Sequence, residues 1–221
     1  METTLQLGSS VGYCDYIVEH MLQEIAPLSA VDFGAGAGKY CRMLRRVSPE
    51  CKIVAVEGYP LAAETLSGIC DRVDLVLIQN WLKDADEKHD LAIFGDVIEH
   101  LTPKEIRSAI ESALMLFQHI IIIVPLYDIF QDDSYGNPLE IHKSYIHERF
   151  FDRYNPTEKH IVKGDGYTIM CLLFSPGVAV RSLAGSVFHC LMLSLQQIGL
   201  ARIAVELLKR YLVRYKRLIG R

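Results

Sequence analysis

The chain has 221 residues, half of them hydrophobic and 23% charged, a length and composition that fit one sizeable core and exclude a disordered chain. A net charge of −4 gives no support to a nucleic-acid binder that works by bulk charge. The charge is uneven, however: from Pro176 onward there are eight Lys and Arg against one acid, Glu206, which leaves the rest of the chain at −11. Six cysteines stand at 14, 41, 51, 70, 171 and 190 with no CxxC, which disfavours a thiolate zinc site. The first ten residues have no basic or apolar run, so no secretory signal is expected, and the scattered cysteines fit a reducing cytoplasm. No apolar stretch is long and unbroken enough for a confident transmembrane helix.

In chain order, the apolar spacing of Val11 to Ile25 predicts a helix that Pro27 ends. Ala30 to Phe33 is a short strand running into a glycine cluster, followed by a helix from Lys39 to Val47. Lys52 to Glu57 is a second strand and Leu61 to Ile69 a second helix. Val73 to Ile78 and Leu91 to Phe94 read as strands three and four. Pro103 to Phe117 is a helix with Thr102 as N-cap, and Ile120 to Val124 is an apolar fifth strand. Strands apolar on both faces, alternating with helices, predict a doubly wound α/β fold with a mostly parallel sheet. Beyond a polar loop from Tyr127 to Leu139, Lys143 to Tyr154 reads as a helix. Glu158 to Val162 and Tyr167 to Phe174 then form a hairpin around Gly164-Asp165-Gly166.

The glycine cluster is Asp32-Phe33-Gly34-Ala35-Gly36-Ala37-Gly38. Glycines after a strand permit tight turning and close backbone approach to a ligand, and the next helix opens with unpaired amides. A dinucleotide fingerprint needs a glycine where Lys39 stands. A P-loop needs glycine at Phe33 and Ser or Thr at Tyr40. D-x-G-x-G-x-G, followed 25 residues after Asp32 by Glu57 at the next strand end, and then by Asp90 to Leu101 (DLAIFGDVIEHL), resembles the class I S-adenosylmethionine (SAM) dependent methyltransferases. The resemblance covers roughly residues 11–174 and implies a seven-stranded sheet with a terminal reversed hairpin, over a domain of residues 1–175. It implies that Asp32 and the backbone of Gly34, Gly36 and Gly38 hold the methionine end of SAM, that Glu57 accepts from the ribose hydroxyls and that Asp96 also binds the cofactor. Tyr59 is expected against the adenine, and Asn80 and Trp81 stand where the family meets the adenine amino group, usually with an acid. Trp81 equally suits a lid on the core.

Acceptor classes narrow by what is missing. Gly95-Asp96-Val97-Ile98 is not the N/D-P-P-Y motif of exocyclic-nitrogen DNA and RNA methyltransferases, and Val124-Pro125-Leu126 has no cytosine-C5 nucleophile. DNA is therefore not expected as a partner. A hydroxyl acceptor needs a base or a metal ion, and Glu99, His100 and His142 are the catalytic candidates. Asp96-x-x-Glu99-His100 also resembles the E-x-x-E-H motif of two metal-assisted O-methyltransferase groups. That resemblance implies a site for Mg²⁺ or Mn²⁺ made by Asp96, Glu99, His100 and His142. The alternative is that Glu99-His100 only begins the next helix. His119 is expected to be structural. The segment from Gly136 to Tyr145 resembles a loop of bacterial glycan and surface-polysaccharide methyltransferases, which would set Asn137, Glu140 and His142 over the acceptor.

Residues 176–221 form an extension in which apolar 204, 207, 208, 211, 212 and 215 recur at helical spacing among basic residues. Such a helix suits an anionic membrane surface through residues 181–221, packing on the body or on a second copy, or an RNA-binding arm. The expected function is O-methylation of a small molecule, glycan or lipid-linked hydroxyl, in the cytoplasm or peripherally at the membrane. The alternatives are metal-dependent ribose 2′-O-methylation of RNA, against which the acidic body argues, and a non-catalytic membrane-held scaffold.

Overall fold

The computed structural model describes residues 12–126, 131–132, 136–164 and 166–175. The chain divides into two units, Met1–Val178 and Ala179–Arg221, and the expected basic extension lies outside the described residues. No described helix is long and apolar enough to cross a membrane.

Seven strands form one mixed sheet in the order β3-β2-β1-β4-β5-β7-β6. β1 (Ser29–Phe33), β2 (Lys52–Glu57), β3 (Arg72–Leu75), β4 (His89–Gly95) and β5 (Phe117–Pro125) run parallel. β7 (Tyr167–Phe174) is antiparallel to both β5 and β6 (Glu158–Gly164). The interior strands β1, β2, β4 and β5 carry almost unbroken runs of Ile, Val, Leu, Ala and Phe because helices cover both faces. The edge strand β3 alternates Arg72, Val73, Asp74 and Leu75 and is only partly buried.

The helices are α1 (Asp15–Ile25), α2 (Lys39–Val47), α3 (Ala63–Ser67), α4 (Ile78–Asp84) and α5 (Pro103–Leu116). Thr102 and Glu105 close a reciprocal capping box at the start of α5, with Pro103 at its first position. Strand order reverses between β1 and β4, and in open α/β sheets the crevice at such a point, at the carboxyl ends of the strands, is where ligands bind. The loops after β1, β2 and β4 therefore meet there.

Directly under that crevice lies an aromatic layer. Phe33 stacks on Phe94 with ring centroids 4.6 Å apart, and Trp81 meets Phe33 edge-on at 5.2 Å. The Trp81 indole donates to Asp74 Oδ2 at 2.7 Å, which satisfies its one polar atom. Of the two roles open to Trp81, it occupies the one in the core.

Two expected elements differ. The third strand ends at Leu75 rather than Ile78, and α4 starts at Ile78, with Val76 and Leu77 connecting the two. Lys143 to Tyr154 is not an α-helix. The amides of Lys143 and Ser144 both donate to the Glu99 carbonyl, at 2.9 and 3.0 Å, and the Ser144 hydroxyl donates to the Leu101 carbonyl. These long-range bonds hold the segment extended until a turn and a 3₁₀ turn at Asp152–Tyr154, while Ile146 and Phe151 supply its buried contacts.

Candidate active site

The glycine loop turns through three left-handed residues, Gly34 (φ 67°), Gly36 (φ 50°) and Gly38 (φ 78°). Gly34 also stands where a Cβ would come within 2.2 Å of Val97 Cγ2, so the loop after β1 and the loop after β4 touch at a bare backbone. Gly38 is the N-cap of α2.

Glu57 ends β2, and its carboxylate accepts from the Gly36 amide at 2.8 Å and the Tyr59 amide at 2.7 Å. A carboxylate has about four acceptor positions, so two backbone bonds fix its orientation and leave capacity for two further hydroxyl donors. Asp32 lies beneath the loop at 1% exposure; its Oδ2 accepts from the Cys41 thiol at 3.1 Å, and its Oδ1 has no hydrogen-bond partner among the described residues. Burial pushes the Asp32 carboxyl up from its ordinary 3.8 to about 7, against the lowering effect of Cys41.

A cavity of about 510 Å³ opens over these loops. Of the residues expected at the cofactor, Gly34, Gly36, Glu57 and Asp96 line it. Asp32, Gly38, Tyr59, Asn80 and Trp81 do not: Asp32 is buried against Cys41 of α2, Gly38 caps that helix, and Tyr59 contributes its backbone amide to Glu57. Because α4 begins at Ile78, Leu77, Ile78 and Gln79 face the cavity, whereas Asn80 and Trp81 lie against a separate, shallower depression. The sequence signal that could have found this was the helical spacing of Ile78, Trp81 and Leu82, the three buried residues of α4.

The other end of the cavity is polar. Glu99, His100 and His142 all line it, and one potential ligand atom from each lies within 4.8 Å of the others. Asp96 lines the same cavity, in left-handed backbone (φ 49°), but is not part of that cluster. The expected four-residue metal set is thus assembled as three. The His100 and His142 rings lie 5.0 Å apart at 59°, and His100 Nδ1 sits 3.3 Å from the Ile141 carbonyl. Burial, followed by the charge of His142, lowers His100 from its ordinary 6.5 to about 4. Glu99 is 2% exposed and its Oε2 has no hydrogen-bond partner among the described residues. Burial first, then the charges of Asp96 and Glu140, raise its carboxyl well above the ordinary range. Asn137, Glu140, Gln131 and Lys143 also line the cavity, and burial, followed by the charge of Glu57, raises the Glu140 carboxyl from its ordinary range. His119 is tied to Ser175 Oγ at 2.7 Å, away from the cavity.

No family model matches the chain, and no curated protein does. Among solved structures, an O-methyltransferase family protein from Burkholderia thailandensis superposes with a TM-score of 0.51 at 12% identity, over 74% of this chain and 57% of that one. A SAM-dependent methyltransferase from Archaeoglobus fulgidus gives 0.52 at 14% identity, over 72% of this chain and 92% of that one. The chain has the class I SAM-dependent methyltransferase fold. The N-methyltransferase NodS from Bradyrhizobium japonicum, solved with S-adenosyl-L-homocysteine (SAH), gives 0.52 at 13% identity over 73% of this chain and 87% of that one. Against the first of these the chain spans little more than half the length.

The residues present fit the cofactor of that methyltransferase fold. The bare loop backbone at Gly34 and Gly36, the oriented Glu57 carboxylate and the unpartnered buried Oδ1 of Asp32 all converge beneath one cavity or on it.

The raised Asp32 carboxyl has a consequence for stability. An acid whose folded pKa exceeds its unfolded one costs stability while ionised, fully so above about pH 7, and the cost is relieved as pH falls from 7 towards 3.8. Asp32→Asn keeps a carbonyl for Cys41 and abolishes the ionisation. The stability of the wild type relative to Asp32→Asn is expected to rise by about 3 kcal/mol between pH 8 and pH 5, at 1.36 kcal/mol per unit. Urea unfolding of both proteins at the two pH values measures it; an unchanged difference would show that Asp32 is ionised throughout.

Proposed function

We propose that the chain transfers the methyl group of SAM to a hydroxyl of a small molecule, glycan or lipid-linked acceptor. The observation that carries this is a single cavity lined both by the glycine loop and Glu57 and by the cluster of Glu99, His100 and His142. SAM, when bound, supplies an activated methyl on a sulfonium. The loop backbone at Gly34 and Gly36 and the Glu57 carboxylate hold and orient it, with Asp32 anchored to Cys41 of α2. His142 takes the hydroxyl proton. His100, with a pKa of about 4, is neutral at pH 7 but holds a proton poorly, so its role is to orient the acceptor and His142. The cavity is lined by Glu57, Asp96, Glu99, Glu105 and Glu140 against Lys39 and Lys143, with Lys39 already paired to Asp15. Such a lining repels phosphate-rich chains, which disfavours RNA as the acceptor.

The clustering of Glu99, His100 and His142 favours one second reading, a bound Mg²⁺ or Mn²⁺. One carboxylate with two imidazoles suits Mn²⁺ better than Mg²⁺. Peripheral membrane placement of the cytoplasmic enzyme through residues 181–221, and the alternative of self-association, belong to this proposal on the sequence pattern alone.

Transfer of labelled methyl from SAM into separated lipid, polysaccharide, RNA and small-molecule pools, with and without EDTA, tests the reading. Label is expected in the lipid, glycan or small-molecule pool and should survive EDTA. Loss with EDTA, restored by Mn²⁺, would establish the metal reading. Label confined to RNA would overturn the acceptor assignment. SAH binding with no label in any pool would favour a non-catalytic scaffold. Co-sedimentation with anionic vesicles, for the full chain and for one ending at Ser175, tests the membrane placement.

A further inference from the structure

Neither Cys41 nor Cys70 lines the cavity, yet the two thiols, both reduced, hydrogen-bond to each other. Cys41 is fully buried on α2, and Cys70 is half-buried in the turn between α3 and β3. Their meeting is enforced from both sides. Gly38 and Arg45 stand one helical turn before and after Cys41, on the same side of α2. A Cβ on Gly38 would come within 2.9 Å of Ile69 Cδ1. Arg45 donates to the Ile69 carbonyl at 3.2 Å and to Asp71 Oδ2 at 2.9 Å. The two neighbours of Cys70 are thus each tied to α2, and the Ile69 and Cys70 amides both donate to the Leu66 carbonyl at 2.9 Å.

The pair reaches the glycine loop through one hydrogen bond. Cys41 Sγ donates to Asp32 Oδ2 at 3.1 Å, while Asp32 Oδ1 has no partner among the described residues. Asp32 and Cys41 flank the loop: one lies in β1 just before Gly34, the other in the first turn of α2 just after Gly38. Their contact therefore closes the base of the turn that carries Gly34 and Gly36. A buried carboxyl that loses such a donor keeps its desolvation and has less to hold it in place.

We infer that Cys41 and Cys70 are a peroxide-sensitive dithiol, and that its closure to a disulfide withdraws the Cys41 donor from Asp32 and loosens the loop that holds SAM. The site stands on the geometry of the two thiols; its effect on the cofactor rests on the SAM-binding reading above. Cys70, the more accessible thiol, attacks hydrogen peroxide: its sulfur takes one oxygen, the O–O bond breaks, and a sulfenic acid forms with release of water. Cys41 then attacks the Cys70 sulfur, the S–S bond forms and the S–O bond breaks. The Cys41 proton passes by way of Asp32 Oδ2 to the departing hydroxide, which leaves as a second water. The two sulfurs lose two electrons in all, and one peroxide is consumed. Cys41 does not take the first step, because the hydrogen bond with Cys70, burial and the charge of Asp32 hold its thiol far above its ordinary range. In reducing surroundings the pair rests as thiols until peroxide rises.

Hydrogen peroxide given to the reduced, folded full chain tests this, read by peptide mass spectrometry after the remaining thiols are alkylated. The expected product is a Cys41–Cys70 cross-link, lighter than the dithiol by two hydrogens, that dithiothreitol reverses. Calorimetry should then show SAH bound at least about tenfold more weakly by the oxidised chain, the scale of one lost hydrogen bond to a carboxylate, with full recovery on reduction. Cys70→Ser keeps a hydrogen-bonding group beside Cys41. It should bind SAH as the untreated wild type does and no longer respond to peroxide. Cys190→Ser, which removes the one cysteine outside the described residues, should respond as the wild type does. Oxidation that stops on Cys70 without the cross-link, or that pairs Cys70 with another cysteine, would overturn the site. A cross-link that leaves SAH affinity unchanged, or a loss of affinity that persists in Cys70→Ser, would overturn its effect on the cofactor loop. A reduced chain that binds no SAH would overturn the SAM reading instead, and the cross-link would still decide the site.

Discussion

Replacing His142 with alanine is expected to lower kcat for methyl transfer by about 10²- to 10⁴-fold, the range lost when a positioned general base is removed. A hydroxyl is a poor nucleophile until its proton is accepted, and the two imidazoles of the cavity stand 5.0 Å apart. The effect should separate the two histidines. Burial holds His100 near pKa 4, so it contributes orientation more than proton affinity, and His100→Ala should cost less, about tenfold. SAH affinity should change by less than about threefold in His142→Ala, because Gly34, Gly36 and Glu57 are untouched. Single-turnover kinetics with SAM and calorimetry with SAH measure the two quantities. Equal losses for His142→Ala and His100→Ala, both reversed in part by Mn²⁺, would instead indicate that the pair ligates a metal with Glu99.

The second large effect is at Gly34. Alanine there meets two penalties of different origin. The left-handed backbone at φ 67° costs a non-glycine residue about 1–2 kcal/mol, and the new methyl would sit 2.2 Å from Val97 Cγ2 and 2.9 Å from Val97 Cβ. Overpacking of that kind adds about 1–3 kcal/mol. Gly34→Ala is therefore expected to destabilise the fold by about 3 kcal/mol and to weaken SAH by more than about a hundredfold, since relief requires the loop to move away from the cavity. Val97→Ala in the same chain removes the 2.2 Å contact with Cγ2, keeps the 2.9 Å contact with Cβ and leaves the backbone part. The double variant should recover about half the lost stability, which urea unfolding reads directly. If Val97→Ala recovers nothing, the backbone angle alone governs the site.

What could be read in advance follows the range of the interactions involved. The strands, the glycine loop and Glu57 rest on local rules: apolar runs, left-handed glycines and an acid at a strand end. The phase of α4 was not legible, because Leu75 to Ile78 is an unbroken apolar run across the end of β3 and the start of α4. Trp81 consequently lies against Phe33, and Gln79 faces the cavity in place of Asn80. The stretch Lys143 to Tyr154 looked helical by composition, yet its first amides are captured by the Glu99 carbonyl, more than forty residues away in sequence. The cluster of Glu99, His100 and His142 needed both kinds of information. Glu99 and His100 are adjacent, but His142 reaches them only through that same long-range capture.

The aromatic layer under the glycine loop bears on how such a chain can change over generations. Phe33 lies between Phe94 and Trp81 and immediately precedes Gly34, so substitutions that disturb donor binding there also disturb the core. The Glu99, His100 and His142 side of the cavity hangs on connections, residues 97–101, 131–132 and 136–143, that no strand register fixes. Mutations can accumulate there without touching that layer. A chain built this way can vary the loop-borne side of its cavity at little cost to its core.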